Sequence, residues 1–592
     1  MFKVFTSGFW EAVARLILRN RIVILIMIGL GTALMVSQWN KMRFSYTEAN
    51  LLPDQHHVNL DYNTFLEIFG EEGNIIVLGV KDSTLLTAQK FNAWNSFSKS
   101  IEKNENIEAV ITLQDLKKLI KDQKKQQFIF EPIVNDSIRS NDELEQLQSA
   151  LFSDFPFYDE VLYNKDSKAI RTIIYLKKSI VNTSARKEFI VEDLIPKIKA
   201  FEAATNMNVR ASGMPYVRTL NSQNIIDEIE IFILAAILIT SLIFYLFFRS
   251  YRATFISMFV VVIGVMWTFG ILGLLEYEIT VLTALIPPLI IVIGIPNCIF
   301  LINKYQHEVN KHGNKAKSLQ RVITKVGNAT LMTNTTTASG FATFVITQSK
   351  LLTEFGTVAS LSIMAIFVLC LLIIPIIYSF MPMPKEKHLE HLNRQWINRL
   401  GDWIEKTVKH KSITIYSISL ILLITSIIGI YQIETTGSLL EDMPKSAEFF
   451  KDIEFYEKEF NGVMPLEILV NTKRKKGVLK RSTLKRMNEL ELLIENIPEL
   501  SKPISIVGLV KYAKQAYYNG NPKYYQLPTA QENTFILSYA KNTTNDVSLL
   551  KNYVDSTGQY ARITTFMKNA EIEKMERIEE QLKEKIAKIF PE

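Results

Sequence analysis

The chain has 592 residues, of which 48% are hydrophobic and 21% charged, with a formal net charge of +7. That balance would suit a soluble protein, yet the apolar residues are gathered into blocks with the charges between them. This excludes a single water-exposed globule and marks a membrane protein with large parts outside the bilayer.

In chain order, Phe9-Trp10 and the basic residues Arg19 and Arg21 precede a first apolar block at 22–36. Ser37-Gln38-Trp39-Asn40-Lys41 offers no small-residue cleavage site, so the block reads as a retained anchor. The long connection 38–227 follows. Its patterns predict strands at 75–80, 108–112 and 170–176 and helices at 88–103, 113–121 and 185–203, with a short last strand in 208–213. The run 131–154 is less regular and is expected to hold mobile loops.

Apolar blocks then recur at 229–248, 255–275, 279–302 and 355–380, and once more at 413–431. Each approaches the roughly 20 residues that cross about 30 Å of hydrocarbon. A weaker block at 329–347 is rich in Thr and Gly, which suits a helix packed inside a bundle. Lys and Arg crowd 3–21, 249–252, 304–325 and 385–411, alternate connections that the positive-inside rule places in the cytoplasm. The stretches 304–325 and 389–409 mix apolar and basic residues at helical spacing and are expected along the membrane surface, a depth that suits Trp396 and Trp403. The connections 38–227 and 432–592 then both fall outside. The two cysteines, Cys298 and Cys370, lie inside spans, so each outer part must rely on its own core.

The last segment repeats the first. Tyr46-Thr47-Glu48-Ala49-Asn50-Leu51-Leu52-Pro53-Asp54 reads like Glu434-Thr435-Thr436-Gly437-Ser438-Leu439-Leu440-Glu441-Asp442. Phe65 to Gly70 has its counterpart in Tyr456 to Gly462, and Phe9-Trp10 in Asp402-Trp403 before a basic cluster and a span. Further elements are read at 466–470, 482–496, 504–507, 509–518, 534–540, 561–567 and 571–589, with 522–545 irregular. Agreement in order and chemistry over this length implies duplication. The second copy ends before its last strand and its set of spans, so a truncated product, a fragment or one half of something completed by another chain is expected.

Thr333-Asn334-Thr335-Thr336-Thr337-Ala338-Ser339-Gly340-Phe341, followed by Glu354-Phe355-Gly356, resembles the Thr-rich fifth span of the resistance-nodulation-division (RND) superfamily. Val292-Ile293-Gly294-Ile295-Pro296-Asn297-Cys298 is similar to its fourth-span motif. The layout resembles the MMPL-like, Patched-related exporters in particular. The resemblance implies a polytopic α-helical membrane protein with about seven transmembrane helices and two α/β, ferredoxin-like porter domains, in an incomplete internal duplication. In those terms, residues 1–21 form a cytoplasmic amphipathic segment and 22–37 the first span. Residues 38–227 form the first porter domain, 228–380 an MMPL or sterol-sensing-like bundle, and 381–411 a cytoplasmic connector. Residues 412–431 form the seventh span, and 432–592 the incomplete second porter domain.

At Pro296 and Asn297 the sequence departs from the family, which relays protons through aspartate there; neither residue here titrates. Transport-path candidates are Gly294, Pro296, Asn297, Asn334, Thr335 and Thr336. Pro287, Pro288 and Pro296 either open a polar path in a broken helix or only shape it. Asn297 and Asn334 are matched as interhelical glue. Glu228 and Glu230 are weak proton-entry candidates, though a helix N-terminus favours acids on electrostatic grounds alone. His56-His57 lacks a third ligand at a helpful spacing, so no metal is expected. Lys473-Arg474-Lys475-Lys476 reads as a solvated turn. No nucleotide-binding loop or nucleophile elbow is seen, so the chain is read as neither an ATP-driven pump nor an enzyme, without cofactor or nucleic-acid partner.

The resemblance implies a bacterial inner-membrane exporter of hydrophobic or amphipathic molecules, driven by the proton gradient, with large periplasmic domains. Expected partners are membrane lipids, the substrate, and a second copy or another chain supplying the missing helices. The rivals are a lipid-sensing or scaffold protein without transport, favoured by the absent acid, and an accessory factor in protein export.

Overall fold

A computed structural model describes residues 7–45, 52–53, 55–70, 73–81, 87–133, 138–383, 395–433, 448–462, 464–542 and 552–590. The chain opens with α1 (Ser7–Arg19) and α2 (Arg21–Ser37). An α/β stretch follows: α3 (His57–Phe69), β1 (Ile75–Val80), α4 (Ala88–Glu102), β2 (Ile107–Ile111), β3 (Lys117–Asp122), β4 (Gln127–Pro132) and α5 (Asn141–Asp154). It continues with β5 (Ile170–Leu176), α6 (Ser184–Glu188), α7 (Ile195–Thr205) and β6 (Arg210–Ser212). Long helices come next: α8 (Met214–Phe248), α9 (Tyr251–Leu274), the short α10 (Val281–Ala284), α11 (Ile286–His312), α12 (Lys315–Ala342) and α13 (Lys350–Phe380). After α14 (Gln395–His410) and α15 (Ser412–Tyr431) the second α/β stretch runs α16 (Glu448–Phe460), β7 (Met464–Asn471), α17 (Arg481–Glu495) and β8 (Ile504–Ser505). It ends with α18 (Ile506–Tyr517), α19 (Ala530–Asn542), β9 (Tyr560–Met567) and α20 (Ile572–Ile589). Two compact units result: Met1–Asn59 with Ser222–Ile433, and Leu60–Asn221 with Glu434–Glu592.

The first unit is a helix bundle. Among the described residues six helices are long and apolar enough to cross a membrane: Arg21–Lys41, Ile231–Phe248, Tyr251–Leu274, Leu282–His312, Lys350–Phe380 and Ser412–Tyr431. The expected seventh, 329–347, lies in α12 and the 3-10 turn after it, and its Thr, Asn and Ser content leaves it too polar to join the six. One face of it, with Thr330, Asn334 and Ala338, packs against α11 and α13, while Thr333, Thr335, Thr336 and Ser339 are exposed. Trp267 Nε1 donates to Thr32 Oγ1 at 2.9 Å and Trp39 Nε1 to the Met266 carbonyl at 3.3 Å, which fixes α2 on α9. A Cβ on Gly273 would meet the Gln38 carbonyl oxygen at 2.2 Å, so the crossing requires glycine. No residue of α15 is buried among the described residues.

The expected span 279–302 is not one helix. Ile279 pairs with Phe44 in a parallel bridge, and the helix breaks at Leu285 between α10 and α11. Pro287 and Pro288 occupy the first turn of α11, where the missing N–H groups have no intrahelical partner to lose.

The second unit holds two sheets and a hairpin. Every pairing in the sheet β2-β5-β1-β6 is antiparallel, with Ile76 opposite Ile174 and Leu78 opposite Ala211. The other sheet has the order β8-β9-β7, in which β8, β9 and β7 stand where β2, β5 and β1 stand in the first. Each has its own core: Trp94, Phe97, Phe201 and Ile174 in one, Met487, Leu490, Val507 and Ile563 in the other.

Several expectations are corrected here. Residues 113–121, read as a helix, form a 3-10 turn at Leu113–Asp115 and then β3, because Leu119 is buried against Tyr512. The irregular runs 131–154 and 522–545 contain α5 and α19, and the element read at 534–540 is part of α19. The helix read at 185–203 is α6 and α7 joined through a π-helical turn, Phe189–Leu194. Most of the repeated openings at 46–54 and 434–442 lies outside the described residues.

Candidate functional site in the helix bundle

Polar residues in a bundle must find partners within it. On α11 the buried face carries Ile290, Gly294, Asn297, Cys298 and Leu301, and on α12 it carries Gly327, Thr330, Asn334 and Ala338. Helical spacing thus brings one amide from each helix to the same level.

The two amides close on each other. Asn297 Nδ2 donates to Asn334 Oδ1 at 3.0 Å, and Asn334 Nδ2 donates to Asn297 Oδ1 at 2.8 Å. Their second N–H groups return to the helices that carry them, Asn334 to the Thr330 carbonyl at 2.7 Å and Asn297 to the Ile293 carbonyl at 3.4 Å. All four N–H donors and both side-chain oxygens are therefore used, and both residues are buried. One interhelical bond of this type contributes roughly 0.6 to 2 kcal/mol. Amides do not titrate, so the pair joins α11 to α12 without taking up or releasing a proton.

Gly294 lies one turn from Asn297; a Cβ there would sit 3.1 Å from Val261 Cγ2 and 3.5 Å from Ile366 Cγ1, so α9 and α13 pack tightly at this level. Cys298 Sγ and Cys370 Sγ face each other at 3.7 Å as free thiols. Sequence reading placed both cysteines in spans but could not bring them together.

The other candidates lie elsewhere. Pro296, Thr335 and Thr336 are exposed on the outer surface of the bundle, away from the amide pair. Thr336 Oγ1 donates to the Met332 carbonyl at 2.8 Å, and Thr333 and Thr337 bond their own helix in the same way, so this face presents satisfied hydroxyls. Glu228 and Glu230 fall within α8, but their side chains lie outside the described residues. The His56 and His57 rings lie 4.4 Å apart, and among the described residues no group of three or more His, Cys, Asp or Glu could hold a metal. Lys473 to Lys476 lie in an exposed turn.

Two features escaped sequence reading. Glu308 on α11 is buried among Lys325 at 3.0 Å, Arg321 at 3.4 Å, and Lys304 and His312 at 3.6 Å. The i,i+4 spacing of 304, 308 and 312 was its only trace. The second is a groove of about 470 Å³ between α9 and α13, lined by Tyr251, Phe255, Phe259, Ile377 and Met381 with Arg252 among them. Such a groove suits an apolar chain whose polar end reaches a cation.

The sequence model of the MMPL family matches residues 83–407, more than half of the chain. A membrane protein of Methanocaldococcus jannaschii is 28% identical over 187 residues, which cover 31% of this chain and 48% of that protein. The chain thus spans about half the length of the curated relative it matches. Four of the six membrane-length helices lie within the matched region, and the chain belongs to the MMPL family of multi-pass membrane proteins.

Proposed function

We propose that this protein exports hydrophobic or amphipathic, lipid-like molecules across a bacterial inner membrane, driven by the proton gradient. The observation that carries the reading is the groove between α9 and α13: its apolar wall and single Arg252 match a molecule with an apolar body and a polar or anionic head. The two α/β stretches act as periplasmic, ferredoxin-like porter domains, and the basic connections face the cytoplasm. Because the Asn297–Asn334 pair is neutral and fully bonded, it serves as a fixed joint, and protons are taken up by acids elsewhere in the working assembly.

The same neutral pair favours a second reading, in which the protein senses a lipid or scaffolds an envelope complex without transporting. Full-length protein in liposomes, given a fluorescent lipid and an imposed pH gradient, separates the two. Export predicts gradient-dependent lipid movement that Asn297→Ala slows while its dependence on the gradient remains. No gradient-dependent movement in the unaltered protein supports the second reading. Loss of gradient dependence in Asn297→Ala alone would make Asn297 the relay and overturn the assigned coupling.

A further inference from the structure

Where α1 meets the start of α12, an open depression of about 520 Å³ is lined by the exposed Arg15, Arg19 and Lys317, with Asn314, Gln320, Leu18 and Ala316 completing its wall. Among the described residues none of the three cations pairs with a carboxylate. The nearby buried acid, Glu308, is already surrounded by Lys304, His312, Arg321 and Lys325. Like charges gathered around a depression repel one another, so the arrangement favours an anion between them.

We infer that this depression binds the phosphate of an anionic membrane lipid. Arginine and lysine match phosphate oxygens in charge and hydrogen-bonding geometry. The N-terminus of the long helix α12, where Asn314 Oδ1 accepts the Lys317 N–H, adds partial positive charge, and Gln320 adds a neutral donor. Location selects a lipid over a soluble ion. Arg19 stands two residues before the membrane-length helix Arg21–Lys41. The opposite face of α1, with Trp10, Ala14 and Ile17, is buried in the bundle core. An amphipathic helix held in this way lies at head-group depth, with Leu18 and Ala316 left for the glycerol backbone.

The inference is independent of transport and is tested by binding. Full-length protein in a neutral detergent is titrated with fluorescent phosphatidylglycerol, with phosphatidylcholine of the same chains as the zwitterionic control and inorganic phosphate as soluble competitor. Phosphatidylglycerol should bind preferentially, and the triple variant Arg15→Gln, Arg19→Gln, Lys317→Gln should weaken it by about tenfold or more. An equal loss of charge on α14 and beside it, Lys406→Gln, Lys409→Gln, Lys411→Gln, should leave binding unchanged. Ala316→Phe, which fills the depression and keeps every charge, should also weaken binding and carries the test if the triple variant does not fold. Equal weakening by both triple variants, no effect of Ala316→Phe, or equal binding of the two lipids would each overturn the site. Displacement of the lipid by low-millimolar inorganic phosphate would overturn its assignment to a lipid.

Discussion

Gly79 of β1 and Tyr456 of α16 approach so closely that a Cβ on Gly79 would lie 2.8 Å from the Tyr456 hydroxyl. That hydroxyl donates to the Arg210 carbonyl of β6 at 2.9 Å, and Arg210 Nη1 meets Asp452 Oδ1 at 3.0 Å, so α16 from the second copy lies on the first sheet. The reverse contact also exists. Arg562 of β9 stacks over Phe65 and Phe69 of α3, with its centre 5.3 and 5.6 Å from the ring centroids, while Glu467 holds the guanidinium at 2.6 Å. Each copy therefore lends its leading helix to the other, and the α/β unit is one interlocked body.

Gly79→Val tests the interlock. The added branches have no room beneath Phe455 and Tyr456, and overpacking of this kind costs about 1 to 3 kcal/mol. Hydrogen exchange should quicken in 448–460 and 210–212 and stay slow in 481–495, which packs on its own core. Uniform quickening across the unit would contradict the proposed local release of α16.

The amide pair gives a second prediction. Asn297→Ala leaves Asn334 with a donor and an acceptor that lose their interhelical partners, at a cost of about 1 to 3 kcal/mol. Replacing both by leucine should cost less than the sum of the single changes, because no orphaned amide remains. Thermal unfolding in detergent of the two single variants and the double variant reads the coupling, and strict additivity would exclude the closed pair.

A third prediction concerns acid stability. Glu532 accepts the Thr529 backbone N–H at 2.7 Å, the Tyr518 hydroxyl at 2.7 Å and the Lys514 ammonium at 3.1 Å. These bonds, the Thr529 N–H foremost, outweigh burial and hold its carboxyl down to about 2, below the usual 4.5. A depressed folded pKa contributes stability that is complete above the unfolded value and is lost as pH falls through the folded one. The unaltered protein should lose this contribution between pH 4.5 and about 2. Glu532→Gln should be less stable at neutral pH and show a flatter decline across that window, read by acid titration of the unfolding midpoint. Parallel curves would show that Glu532 is not the group responsible.

What the sequence made legible follows from where each element finds its partners. The spans stood out because hydrophobicity over about 20 residues is a local property. Strands β1, β5 and β7 were legible for the same reason, as short runs rich in apolar residues, and β9 by the alternation that marks its buried face. β3 was misread because Lys117-Lys118-Leu119-Ile120-Lys121 alternates too weakly to choose a period; it is held as a strand by its antiparallel pairing with β4 and by Tyr512, whose hydroxyl accepts the Leu119 N–H at 3.1 Å from 393 residues away. At the site, the pairing of Asn297 with Asn334 could be matched from side-chain chemistry, since an amide both donates and accepts and a second amide on a neighbouring helix satisfies both needs. The outward placement of Pro296, Thr335 and Thr336 could not, because helical phase is fixed only when neighbours are known. Glu308 was passed over for its place in a basic run; burial set it apart.

The last prediction concerns α1. A Cβ on Gly327 of α12 would lie 2.6 Å from Trp10 Cε3, so the indole of α1 fills a notch that exists because residue 327 has no side chain. Gly327→Leu should displace Trp10 and loosen α1 from α12, at about 1 to 3 kcal/mol. Trp10→Ala alone empties the notch and should cost about 3 to 5 kcal/mol, the range for truncating a buried aromatic. In the double variant the leucine occupies space the indole has left, so the loss should be smaller than the sum of the two single changes. Thermal unfolding in detergent, with proteolysis between α1 and α2 as a local readout, compares the four proteins. If the losses add, the notch and the indole are not complementary, and the anchoring of α1 must come from Ala14 and Ile17 instead.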